Sequence, residues 1–533
     1  MPTFAGSMDT YLQRLANQLE SRRGRWLTPS AVALLAFVLS AGTFDAKLSL
    51  TGDNTEFITL ARSVAQGDGL SYINQPDPRP ATKYPFGFPL MLAPLAAVET
   101  KGGEPVTDWI AMKWLVVCMF AAGMALVYLW LRELVGALPA SIGALLCLTN
   151  PLLIDYSHQV MSEIPYLLFA MLALLAFARG RPEAAGQSVN AWSVLGFISM
   201  MWAYHFRSFG IVVVAALLVL LVFGKHWRRA AVMAATSLAV ALPWILRNRS
   251  VEGGGFYVKQ LFHRDPYHPE LGYLDVSEFL TRLGYNAVWN LFDRLPAAFL
   301  RNFQSEHPLS MLVAITLIGA AVCALFQCVK KRRVTLPVAY SVVSLGLIFA
   351  WPFVDARFLL PLIPIFIFFV LYAARAILRR AGAGGASTVV AAVVLVLALG
   401  SNAAALVDLR EKGQAEYVAR WHNYFKAGMW LRSNGEPGQI VACRKPYWMH
   451  VVSGLPTIVY PFKPPKEVVD TLQRRETVYV VFEQLGFPQT QRFLVPAINE
   501  NPGRFTALWH APAPDTYVLA LNEVTEEQER RRE

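Results

Sequence analysis

Charge is what this sequence has least of. Only 16% of its 533 residues are Asp, Glu, Lys or Arg, against 55% hydrophobic, and mean hydropathy is +0.38. A soluble domain carries about 25% charged residues, so most of this chain lacks the polar surface that water requires. Cysteine is scarce too. Cys118, Cys147, Cys323 and Cys328 fall in apolar runs, and Cys443 stands alone in the tail. There is no Cys-x-x-Cys pair, no His/Cys ligand cluster and no His-Glu-x-x-His spacing, so neither a disulfide framework nor a zinc site is indicated. No small-residue cleavage site follows the polar segment 1–25, and the first apolar run therefore reads as a retained span, not a removed signal peptide.

What is present is a series of long apolar runs without period-two alternation. About 20 such residues let a helix cross the hydrocarbon core, and only helices or closed barrels satisfy their own backbone there. Spans are expected at 26–44, 109–131, 138–155, 160–178, 191–203, 210–223, 230–246, 309–329, 334–353, 358–377 and 387–407. The break at 204–210, "YHFRSFG", is the least marked. The expected fold is mainly α: a polytopic transmembrane helix bundle of about eleven spans with interfacial outer-loop helices and a small C-terminal α/β soluble domain.

The net charge of +11 does not point to nucleic acid, because the basic residues cluster between spans, where anionic headgroups attract them. With the N-terminus cytoplasmic, Arg22, Arg23, Arg25, Arg132, Arg179, Arg181, Lys225, Arg228, Arg229, 330–333, Arg379 and Arg380 all lie inside. This division makes 1–25 a cytoplasmic segment and 26–408 the bundle, with outer loops at about 45–108 and 247–308. Residues 409–522 become an extracytoplasmic α/β domain and 523–533 a disordered tail. The domain reads from β-rich runs ("QIVACR", "TIVYPF", "TVYVVF", "DTYVLALN") alternating with helical stretches. It lacks a phosphate-binding glycine motif and is either structural or an acceptor-docking cap.

The first outer loop opens with "TGDNTEFITLARSVAQGDGLSY". Asp53 lies close to the membrane surface, and Phe57, Leu60, Ala61 and Val64 have the spacing of a helix in the interface plane. Asp53 is either the N-cap of that helix or a reactive carboxylate. Four segments in order resemble the GT-C membrane glycosyltransferases, in the protein O-mannosyltransferase and aminoarabinose-transferase branch (glycosyltransferase family 39-like). They are the Asp53 loop with "YPFGFPLMLAPL", "NPLLIDYSHQVMSEIPYLLFA" with Glu163, "ALPWILRNRSVEGGGFYV", and "DARFLLPLIPIF". The pattern departs where the family often has Asp-Glu followed by Tyr, since Asn54 and Phe57 stand there. Glu163 stands where Asp is frequent.

An inverting transfer from a polyprenyl-phosphate sugar follows as the expected activity, in the cytoplasmic (inner) membrane at its periplasmic face. The acceptor, a glycan, lipid or protein, is a weak nucleophile, so a carboxylate must take its proton. Asp53 is the candidate base. Glu163 stands in the first turn of an apolar span, where an ionised group is costly. It is either a cap with Ser162, an acceptor-orienting group, or a ligand with Asp53 for a divalent cation such as Mg or Mn. The leaving phosphate calls for fixed positive charge. Lys83 is the first choice, with Arg207, Arg247 and Arg357 at outer ends of spans. Each of the three arginines has snorkelling as its alternative. His158, His205, His263 and His268 read as interfacial histidines or ligands, and the sequon at Asn248 as fortuitous. A lipid or solute transporter and a non-catalytic envelope-glycan scaffold are the competing readings. The first would show repeats with broken helices in matching places, and no internal repeat is present.

Overall fold

The structure, a computed structural model, describes residues 14, 16–96, 107–184, 189–251, 255–266, 268–300, 306–380 and 385–522. The expected tail 523–533 lies outside them, as do 1–13 of the N-terminal segment and 97–106 and 301–305 of the long loops. The chain packs as two compact units. One comprises Met1–Ala46, Thr82–Phe88 and Lys113–Gly413; the other comprises Lys47–Ala81, Pro89–Met112 and Gln414–Glu533.

Each expected span overlaps helical residues, that at 138–155 as two helices. Among the described residues, seven helices are long and apolar enough to cross a bilayer alone. They include Gly24–Gly42, Asp108–Val135, Glu163–Gly180, Trp227–Ser250 and Pro308–Lys330. A bent pair, Ala137–Leu148 and Pro151–Ser157, which turns by 61°, passes the same test of length and composition when taken together. Its break is chemical: Pro151 has no N–H to donate. The Asn150 side chain then caps the new helix by accepting from the backbone of Leu152 and Leu153. Ala191–Phe206, Ser208–Phe223 and Leu336–Ala350 are shorter apolar helices.

The weak break at 204–210 is real. Arg207 is extended, and a single 3-10 turn, Ser208–Gly210, separates the helices Ala191–Phe206 and Ile211–Phe223. Gly210 permits it, since a Cβ there would run into the backbone of Ala203 and Tyr204. Trp130, Tyr128 and Phe120 are buried at the centre, whereas Val232, Leu312, Ile315 and Val396 are exposed. Apolar side chains facing outward on a helical bundle belong against lipid.

The second unit holds a two-stranded hairpin, β1 (Ser71–Tyr72) against β2 (Arg79–Pro80), and a five-stranded mixed sheet. The latter is built from β3 (Ile440–Cys443), β4 (Thr457–Val459), β5 (Thr477–Phe482), β6 (Phe505–Ala511) and β7 (Thr516–Leu521), in the order β4-β3-β5-β7-β6. β4, β3 and β5 are parallel, and β7 runs antiparallel to β5 and β6. Four of these strands are the β-rich runs of the sequence. β6 was missed because its side chains are mostly exposed and polar residues interrupt it. Helices Pro465–Arg474 and Val495–Glu500 bury Val468, Val469, Leu472 and Ala497 against Ala442, Ile458 and Val480.

Candidate active site

In the first unit, the short segment 82–88 is held between helix ends. Phe86 packs on His205 and Trp244, with ring centroids 4.7 and 5.8 Å apart, and Phe88 packs on Phe206. Gly87 lies so close to His205 that a Cβ would fall 2.7 Å from its carbonyl oxygen. The Asn248 amide donates to Thr82 O at 3.4 Å. Lys83, the next residue, stands over the Tyr84 ring at 4.5 Å. Arg247 stacks on Trp244 at 5.1 Å and donates to Asn248 Oδ1. Lys83 and Arg247 are thus tied to one packed cluster, and Arg207 directly follows the helix end that receives Phe86 and Phe88. Asn248 sits inside a helix with both amide atoms engaged, in keeping with a fortuitous sequon.

Glu163 is 1% exposed and forms an ion pair with Arg207 at 2.9 Å. The guanidinium aims its hydrogen bond at Ser162 Oγ instead, also at 2.9 Å. Both Glu163 oxygens are buried without a hydrogen-bond donor. The capping alternative for Ser162 and Glu163 therefore gives way to an ion pair, because Ser162 makes no cap bond and is used by Arg207. Tyr156 lies within electrostatic reach of Glu163, Asp355 and Arg357. Arg357 faces Asp355 at 3.6 Å, and the Asp355 carboxylate also accepts from the Arg357 backbone. Nearby in the chain, buried Lys113 donates to Asp45 O at 2.8 Å, and His158 is buried against Phe44. Sequence reasoning missed Tyr156 and Asp355, which stand unremarked inside the resembling segments, and Lys113, which lies outside them.

In the second unit, Asp53 occupies the N-cap position of the helix Asn54–Gln66, yet its side chain makes no capping bond. The carboxylate instead lies within electrostatic reach of Tyr447. The expected interface helix is more deeply set than its apolar face implied, for 54–63 are all buried. Its polar side chains have found partners. Glu56 accepts from Tyr72 OH at 2.9 Å, and Arg62 makes a two-pronged pair with Asp108 at 2.9 and 2.8 Å. Arg62 also donates to Val451 O. Further bonds hold the loop to the C-terminal segment: Tyr417 to Leu48 O, Trp448 to Ser49 O and Thr457 to Asn74 O. Tyr447 touches Tyr72 edge-on. Burial, then the charges of Glu56 and Asp53, push its phenol well above the ordinary tyrosine range. A neutral phenol therefore lies within electrostatic reach of two carboxylates. Glu56 could have been read from its place one helical turn after Asp53; Tyr447, far along the chain, could not.

Among the described residues no group of three or more His, Cys, Asp or Glu side chains converges as a metal site would require. Glu163 faces the Arg207 cation, which opposes a metal ion at the same place. His268 is hydrogen-bonded to Glu270, and His263 packs on Tyr273. A divalent cation expected at Glu163 and Asp53 would meet the Arg207 charge at Glu163.

In fold, the chain resembles solved oligosaccharyltransferase structures over most of its length. Residues 104–246 match the family model described as dolichyl-phosphate-mannose-protein mannosyltransferase. An oligosaccharyltransferase from Archaeoglobus fulgidus, tethered with an acceptor peptide, superposes with a TM-score of 0.58 at 11% identity, covering 95% of this chain and 75% of that one. The same organism's oligosaccharyltransferase AglB, in complex with an inhibitory peptide and a dolichol-phosphate, gives 0.56 at 12% identity, covering 86% and 70%. ArnT from Cupriavidus metallidurans in the apo state gives 0.50 at 14% identity, covering 94% and 98%. At such identities the shared property is the fold. By sequence, no curated protein matches.

Proposed function

We propose that the protein transfers a sugar from a polyprenyl-phosphate donor to an acceptor hydroxyl or amine at the outer face of the cytoplasmic membrane, with inversion. The observation that carries this reading is the segment 104–246. It matches the mannosyltransferase family and holds the buried Glu163–Arg207 pair inside a GT-C fold. The A. fulgidus relative that shares the fold binds a dolichol-phosphate, which suits a lipid-phosphate donor here. The clustering of basic residues in alternate loops supports the orientation.

In the proposed reaction Asp53 takes the proton of the acceptor as its heteroatom attacks the anomeric carbon. The bond from that carbon to the phosphate oxygen breaks, and the polyprenyl phosphate leaves with the electron pair. Without a covalent sugar intermediate the displacement is single and inverts the centre. Tyr447, kept protonated within electrostatic reach of Asp53, supplies a neutral dipole there. Lys83, Arg247 and Arg357 neutralise the departing phosphate, and fixed charge there acts on the transition state at no reorganisation cost. Glu163 fixes Arg207 and orients the acceptor.

Asp53→Asn protein in reconstituted membranes should insert normally and lose sugar transfer from a polyprenyl-phosphate sugar by about a hundredfold or more. Transfer at the unaltered rate by that variant would overturn Asp53 as the base.

A further inference from the structure

The mixed sheet of the C-terminal domain carries a second cluster that the transfer chemistry does not use. The chain leaves β3 for β4 on one side, then passes back to β5 on the other. In open α/β sheets the crevice beyond the carboxyl ends of such strands is where ligands sit. Here that edge presents Arg444 and Lys445 after β3, Phe462 after β4, and the loop Glu483 to Phe487 after β5. Arg444 lies over Phe487 at 4.7 Å and over Phe462 at 5.4 Å. Lys445 lies over the same Phe487 at 4.3 Å and over Trp448 at 5.5 Å. Phe462 is 44% exposed and stacks on Phe493 at 5.5 Å.

The loop is braced from below. Fully buried Glu483 accepts from Leu485 N and Thr490 Oγ1, and Thr490 is bonded to Tyr460 OH. A third cation, Arg420, approaches the loop at Gly486, whose positive φ of 93° keeps the turn open. Lys445 lies within electrostatic reach of that buried carboxylate, and Arg444 and Arg420 flank the same loop. Arg444 Nε is buried without a hydrogen-bond partner, and an unmade bond on a buried guanidinium is costly. Burial and the neighbouring Arg444 charge push Lys445 below the usual lysine range. Both facts describe a place where positive charge is held in excess of its local partners.

We propose that this crevice binds an anionic saccharide, a glycan bearing phosphate or carboxylate groups. Arg444 and Lys445 would take the anion, and the Phe462–Phe493 pair would take the apolar face of a sugar ring. Cations alone would suit any anion. Exposed Phe462, stacked on half-buried Phe493, adds a flat apolar platform beside them, which selects a ring with a C–H face. The proposal rests on the transferase reading for its biological sense, because the ligand would be an acidic acceptor, but its binding is measured without transfer.

The test uses the full-length protein in zwitterionic nanodiscs without donor lipid, titrated calorimetrically with trigalacturonate, maltotriose and inorganic phosphate. Trigalacturonate should bind at least about tenfold more tightly than either of the others. Arg444→Gln/Lys445→Gln should raise its Kd by about tenfold or more, with Arg444→Lys closer to the parent. Phe462→Ala should weaken the saccharide and leave phosphate unaffected. Phosphate binding as tight as trigalacturonate, or a Kd unchanged in the double variant whose circular dichroism is native, would overturn the proposal. Asp53→Asn protein should bind the saccharide like the parent. Binding without transfer in the parent protein would thus sink only the transferase reading, and transfer with no saccharide binding only this one.

Discussion

Arg207 lies 2.9 Å from Glu163 while giving its hydrogen bond to Ser162, so the buried carboxylate is compensated by charge and not by a donor. Removing one partner of a buried pair leaves the other uncompensated, at a cost of about 3–5 kcal/mol. Arg207→Gln should lower the apparent Tm in nanodiscs, and adding Glu163→Gln should restore a large part of the loss. A single Arg207→Gln variant as stable as the parent would mean that the pair contributes nothing.

Tyr447→Phe removes one O–H within electrostatic reach of Asp53 and Glu56 without changing the ring. Transfer should fall about tenfold or more in kcat, with little change in donor KM, since the group acts on the carboxylate and not on the lipid. An equal loss in KM would place Tyr447 in donor binding instead.

The segment that carries Lys83 depends on Gly87. A methyl group there would meet the backbone of His205 at 2.7 Å, and backbone cannot yield as a side chain does. Gly87→Ala should destabilise by about 1–3 kcal/mol and weaken donor-lipid binding in the same direction as Lys83→Ala. Unaltered donor affinity in Lys83→Ala would remove that residue from the phosphate site.

His450 gives the second unit a pH dependence. It is buried, its Nδ1 donates to Leu455 O at 2.9 Å, and burial lowers its pKa to about 4. The unfolded chain binds this proton near pH 6.5, so the folded state is the poorer base. The stability from keeping His450 neutral is complete above pH 6.5. It is lost as pH falls toward 4, by on the order of 3 kcal/mol. Unfolding followed by near-ultraviolet circular dichroism should show this slope, and His450→Gln should flatten it.

Cys443 cannot report orientation, for it is buried in β3 and its thiol is pushed up to about 12. Gln484→Cys, at an exposed position, should react with an impermeant maleimide from the outer side of intact cells. Labelling only after the cytoplasmic side is opened would reverse the proposed topology.

The helical bundle was legible because hydropathy is a property of consecutive residues. Every expected span overlaps helical residues, and even the weak break at Arg207 announced itself through polar residues and Gly210. Glu163 was recognisable as a charge at a costly place, and Asp53 and Lys83 as charges in a loop that resembles the family's first outer loop. Their partners were not. Nothing local joins Glu163 to Arg207, Asp53 to Tyr447, or Arg62 to Asp108.

The sequence by itself therefore determined the class of this protein, its apolar spans and its separate α/β tail, since twenty apolar residues in a row have one stable solution in lipid. Only the tertiary structure decided that the loop 47–81 packs with the C-terminal segment as one compact unit. It also decided that Glu163 is neutralised by an arginine and not capped by a serine. Those outcomes depend on which distant group fills a buried site, where a lone charge is intolerable and several partners are chemically acceptable. That choice is made by packing.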